Sequence, residues 1–168
     1  SCVNALSEKL ELEVYRDNKR YTQLFSKGIP QNSGETEKNV KHPSGTTIRF
    51  YPDKGIFETT YFDYQTISTR CKELAYLNRG LQINLLDLRE EEELKDSYKF
   101  DGGIVSYIKA IDASKDPLFK EPFYIAKEKD EVDVEVALHY SKNYYDEHVI
   151  SFVNNIRTKE GGTHLAGF

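Results

Sequence analysis

Two short stretches of this chain combine residue types that could hold a ligand. In Gly45-Thr46-Thr47-Ile48-Arg49-Phe50 a glycine opens a run of branched and aromatic residues. Such an entry lets the backbone approach a bound group while the Thr46 hydroxyl donates or accepts a hydrogen bond. The same pattern also describes an ordinary passage from loop into strand. In Glu160-Gly161-Gly162-Thr163-His164 the paired glycines permit an unusual backbone turn, and Thr163 can cap the helix expected to follow. A structural helix start is the plainer reading there. The rest of the reactive inventory is sparse. His42, His139, His148 and His164 share no metal-ligand spacing, and His139 and His148, flanking an expected turn, are expected on the surface. Cys2 and Cys71 make neither a disulfide framework nor a metal motif, which fits a reducing cytoplasm. The chain has no Walker loop, no Gly-x-Ser-x-Gly and no His-Glu-x-x-His. No set of its residues is a self-sufficient catalytic group.

The elements that must position these residues fall into two blocks, divided near Lys99. In the first, Ser1 to Leu6 reads as the tail of a helix. Leu10, Leu12 and Val14 then alternate with polar residues, the pattern of a half-buried strand. Asp17-Asn18-Lys19 is a turn, and Tyr21 to Phe25 is the returning strand of a hairpin. Gly28-Ile29-Pro30 should break that strand, Gln31 to Ser44 should be a polar loop, and Thr46 to Tyr51 a short strand ending at Pro52. Asp63 is placed to cap a helix with an apolar stripe of Tyr64, Ile67, Cys71, Leu74 and Ala75, stopped by Gly80. Leu81 to Leu88 reads as a strand, and Arg89 to Asp96 as a charged loop. In the second block Ile104, Tyr107, Ile108 and Ile111 have helical spacing. Pro122 to Ala126 and the alternating Val132 to Tyr140 read as strands. A turn over Asn143 to Asp146 should let Val149 to Val153 pair back. Strands with helices between them predict an α+β fold.

The 168 residues suit one large domain or two small ones. Twelve tyrosines and nine phenylalanines supply enough large side chains for a core. The mean hydropathy of −0.66 is polar for a globular chain. No apolar run approaches the ~20 residues of a membrane span. A net charge of −5 argues against a strong stand-alone DNA binder, so any hold on DNA must come from a local patch or from other parts of a larger molecule. The chain has no methionine and starts and stops inside patterned sequence, so it is expected to be an internal piece of a longer protein.

Several motifs in one order resemble the B subunits of DNA gyrase, in the type IIA topoisomerase family. They are SCVNALS at Ser1 to Ser7, FDY at Phe62 to Tyr64, KELAYLNRGLQI at Lys72 to Ile83 and DGGI at Asp101 to Ile104. VEVALHY at Val134 to Tyr140 and FVNNI…EGGTHLAGF from Phe152 to Phe168 complete the set. The resemblance implies that residues 1–99 are the later half of an ATPase domain of the GHKL class, an α/β sandwich. It implies that residues 100–168 begin the α+β transducer domain. It implies a role in coupling ATP hydrolysis to double-strand passage and negative supercoiling of DNA. The B subunit of topoisomerase IV, which relaxes and decatenates, or a non-catalytic GHKL-like dimerisation module are the alternatives. The partners implied are the gyrase A subunit, a second copy of the B subunit and double-stranded DNA, in the cytoplasm and with no membrane. The ligands of ATP and Mg2+ would lie mostly outside this chain, which alone is expected to hydrolyse no ATP. What carries over is small. Thr46 matches a threonine that shares a water with the adenine-reading aspartate, and Ile48 an apolar residue lining the adenine pocket. Ser1 heads the helix that follows the phosphate-binding lid, where backbone amides favour anions.

Overall fold

The computed structural model describes residues 1–142 and 148–168, and divides them into two compact units, Ser1–Phe62 and Asp63–Phe168. The boundary expected near Lys99 falls inside the second unit.

The first unit is a short helix leading into a five-stranded antiparallel sheet. Helix α1 (Cys2–Ala5) precedes β1 (Ser7–Arg16), β2 (Lys19–Ser26), β3 (Ile29–Pro30), β4 (Glu35–Lys38) and β5 (Gly45–Pro52). β1 lies between β2 and β5, while β3 and β4 both pair with the far edge of β2. Asp17 and Asn18 both take positive φ, 51° and 54°, the twist that lets a two-residue turn join paired strands. The Gly28-Ile29-Pro30 stretch does not end the sheet as the sequence suggests. Lys27 and Gly28, at φ 50° and 82°, form a second tight turn, and Pro30 pairs opposite Phe25 at an edge where a missing N–H is tolerated. The polar segment 31–44 is likewise not all loop, because Glu35–Lys38 joins the ladder. Gly34, at φ 75°, permits this: a side chain there would overlap the Tyr21 hydroxyl.

Strand register gives this sheet two unlike faces. Leu10, Leu12 and Val14 stand beside Phe25 and Tyr21 of β2 and Phe50, Ile48 and Thr46 of β5. On the other face Glu11 binds Arg49 at 2.6 Å and Glu13 binds Arg20 at 2.9 Å. The loop after β5 is anchored by Asp53, which takes the Lys27 ammonium at 2.7 Å and the Gly55 N–H at 2.9 Å. The Lys27 bond, with help from Gly55, holds the Asp53 carboxyl below its ordinary range.

The second unit packs its strands in pairs around helices. Helix α2 (Tyr64–Leu77) is followed by β6 (Gln82–Asp87), β7 (Leu94–Lys99) and α3 (Gly103–Ile111). Next come β8 (Phe123–Lys129), β9 (Val132–Leu138), β10 (Phe152–Val153), β11 (Ile156–Arg157) and α4 (Thr163–Gly167). Asp63 caps α2 as expected, accepting from the Thr66 N–H at 2.8 Å. Tyr76 of α2 is 5% exposed, and its ring stacks on Phe100 at 3.6 Å and on Tyr107 at 5.1 Å. Arg89 to Asp96 is only partly a loop, since Leu94 begins β7 and pairs with Asp87. Asp96 then turns to α2 and accepts from Tyr64 Oη at 2.9 Å and Ser68 Oγ at 3.0 Å. Burial, then that carboxylate, pushes the Tyr64 hydroxyl up to about 12.

Three further expectations change here. Val149 to Ser151 lie outside any strand, and β10 pairs with β11 rather than with β9. Thr163 is the first helical residue of α4, with Gly162 at the cap position and no side-chain capping bond. The turn expected over Asn143 to Asp146 lies outside the described residues. Among the described residues no helix is long and apolar enough to cross a membrane.

Candidate functional site

β5 carries two of the first unit's three ligand candidates, Thr46 and Ile48, on one face. Thr46 pairs with Val14 and Ile48 with Leu12, so the threonine hydroxyl and the isoleucine side chain project from the apolar side of the sheet. Both are exposed, Ile48 by 57%. Gly45 ahead of them has open space where a side chain would stand, so access to this edge is unobstructed. Ser1 is placed differently. It heads the four-residue helix α1 without a side-chain capping bond, and α1 leads into β1 at Ser7. Thr46 sits near the other end of that strand, opposite Val14, ~23 Å from Ser7 at the rise of an extended chain. The structure therefore groups Thr46 with Ile48. No hydrogen bond ties Ser1 to either.

On this face the sheet offers a mainly apolar surface, interrupted by Gln23 opposite Leu12, with a hydroxyl at its margin, which suits the face and edge of a planar ring. The charged groups lie behind it. The Arg20 and Tyr15 bonds hold Glu13 below the usual carboxylate range, and the Lys9 and Arg49 bonds do the same for Glu11. Among the described residues no three His, Cys, Asp or Glu side chains converge as a metal site.

The Gly-Gly-Thr-His stretch closes on itself instead of facing a ligand. Thr158 Oγ1 lies 2.6 Å from Ser151 Oγ and 3.2 Å from His164 Nε2, a chain of hydroxyls ending in an imidazole that no carboxylate among the described residues engages.

His139 is the residue that sequence reasoning misplaced. Its side chain is 4% exposed, not on the surface. Nδ1 lies 2.8 Å from Asp112 Oδ2, and Nε2 lies 2.9 Å from the Phe119 carbonyl. Lys115 takes the other Asp112 oxygen at 2.8 Å. Asp112 is 27 positions away, so no local spacing could reveal the pair. It forms because α3 packs on β9, and it joins the end of that helix to the strand.

With the geometry in place, comparison with known proteins gives a consistent result. The family model for DNA gyrase B matches residues 103–168. The DNA gyrase B subunit of Staphylococcus epidermidis is 47% identical over 173 aligned positions, covering 100% of this chain and 26% of that protein. Its Staphylococcus aureus counterpart is 45% identical over 174, again covering the whole chain and 26% of the relative. The B-subunit of the DNA gyrase from Myxococcus xanthus superposes with a TM-score of 0.85 at 28% identity, over 98% of this chain and 48% of that one. The 43K ATPase domain of Thermus thermophilus gyrase B, solved in complex with an aminocoumarin, gives 0.82 at 34% identity, over 97% and 44%. The α+β architecture is thus that of gyrase B chains. This chain spans about a quarter of the length of the curated relatives it matches. Along its whole length it belongs to the DNA gyrase B family.

Proposed function

We propose that this chain forms part of the ATP-binding subunit of a bacterial DNA gyrase, which couples ATP hydrolysis to double-strand passage and negative supercoiling. Residues 1–99 are read as the later half of the ATPase domain and residues 100–168 as the start of the transducer. The observation that carries the nucleotide reading is the shared, open face of Thr46 and Ile48. A hydroxyl beside a branched apolar side chain fits one wall of an adenine pocket, and Ser1, heading α1 beyond the other end of β1, is read as serving the phosphates and not the base. Mg2+ would offset phosphate charge, with its ligands supplied by residues outside this chain. The gyrase A subunit, a second copy of the B subunit and duplex DNA are the proposed partners, in the cytoplasm.

Thr46→Val in the full-length protein removes the hydroxyl and keeps the shape. The nucleotide affinity measured by titration with a non-hydrolysable ATP analogue should fall roughly fivefold, about 1 kcal/mol. An unchanged affinity would remove Thr46 from the site. Supercoiling of relaxed plasmid by the reconstituted holoenzyme tests the activity, since relaxation and decatenation alone would point to topoisomerase IV.

A further inference from the structure

The chain is acidic as a whole, yet one groove of the second unit is lined by four cations and a single carboxylate. The cavity, about 540 Å³, opens between α2, α3 and the β10–β11 hairpin. Tyr76, Tyr107 and Ile111 form its floor, and Arg70, Lys72, Arg157 and Lys159 stand on its lining with Glu73. Glu73 is already committed, to the Arg70 guanidinium and to the Tyr107 hydroxyl. Arg70 also donates to the Asn155 carbonyl at 2.9 Å, which holds that guanidinium against the hairpin. Thr158 turns inward to Ser151 and His164, so its neighbours Arg157 and Lys159 are left at the exposed edge. Among the described residues neither has a carboxylate partner. Two threonines of α2, Thr66 and Thr69, add exposed hydroxyls to the same lining.

Arg157 and Lys159, without carboxylate partners among the described residues, stand on the same lining as Lys72, the Glu73-paired Arg70 and two threonines, and such a grouping of cations and hydroxyls has the chemistry that grips a phosphate backbone. We propose that this groove is a sequence-independent binding surface for the phosphate backbone of duplex DNA, with Arg157 and Lys159 as its principal charges. The choice of duplex rests on the gyrase reading above. The groove supplies the local patch that an acidic chain would need to hold DNA at all.

The test uses the holoenzyme and a short fluorescent duplex of arbitrary sequence, with binding followed by anisotropy across a salt series. The double substitution Arg157→Gln/Lys159→Gln should flatten the dependence of log Kobs on log salt by roughly two, about 0.9 for each phosphate no longer neutralised. Lys127→Gln/Lys129→Gln on β8 removes the same net charge away from the groove and should leave the slope as in wild type. Thermal unfolding of both variants should match wild type, because all four side chains are exposed. Equal slopes for wild type and the Arg157/Lys159 variant would overturn the groove assignment while leaving the gyrase reading intact. A wild-type holoenzyme that neither binds the duplex nor supercoils plasmid would overturn both.

Discussion

The sheet of the first unit and helix α2 of the second use similar side chains to opposite effect. On β5, Ile48 is 57% and Phe50 40% exposed, although both stand on the apolar side of their sheet. On α2, Ala75 is fully buried and Tyr76 nearly so, under Phe100 and Tyr107. Period-two alternation sorts residues between faces but supplies no cover, and within the first unit only one face is finished, by ion pairs. A helix flanked by aromatic residues from the next strand and helix finishes its own core. Apolar residues on a two-faced sheet can therefore be a surface for something else, while those on α2 are structure.

Substitutions in the two places should separate that difference sharply. Tyr76→Ala removes the ring shared by Phe100 and Tyr107 and should cost about 3–5 kcal/mol, read as a large drop in denaturation midpoint. Ile48→Ala should cost the chain well under ~1 kcal/mol, because most of that side chain is already in water. A comparable loss at both positions would erase the distinction. His139→Ala comes next, at about 2–3 kcal/mol, since it leaves one oxygen of the buried Asp112 without its partner. Asp63→Ala should cost about 1 kcal/mol through the lost cap of α2. The smallest effect is that of acid. The Tyr98, Tyr64 and Ser68 hydroxyls hold the Asp96 carboxyl below its ordinary value, as Lys27 does for Asp53. Groups lowered in the folded state contribute in full above the unfolded aspartate pKa of about 3.9 and lose that contribution as pH falls further. Denaturation midpoints should thus be flat from neutral to about pH 5 and decline below pH 4. Asp96→Asn should blunt the decline.

Local patterns carried most of this fold. The alternation of Leu10, Leu12 and Val14, the cap at Asp63 and the spacing of Ile104, Tyr107, Ile108 and Ile111 each report on neighbours within a few residues, and each element formed. The misses share a cause. β3, β4 and the start of β7 are short polar or proline-bearing segments whose strand character comes from an existing edge to pair with, not from their own composition. The burial of His139 depends on Asp112, 27 positions away. In the candidate site, Thr46 and Ile48 were legible because they sit two apart on one strand. The cationic groove was not, since Arg70 and Arg157 meet only through the packing of α2 against the hairpin.

That packing has a mechanical consequence. Asn154 and Asn155 both adopt positive φ at the tip of the β10–β11 hairpin. There the Asn155 amide donates to Asn78 Oδ1 at 2.9 Å while its carbonyl receives Arg70. The loop is thus stapled to α2 at two points, one near the middle of the helix and one just past its end. A pull on the hairpin cannot be absorbed by the two short strands alone. It is shared with the C-terminal half of α2, from Arg70 to Asn78, so the hairpin and that half of the helix should move together.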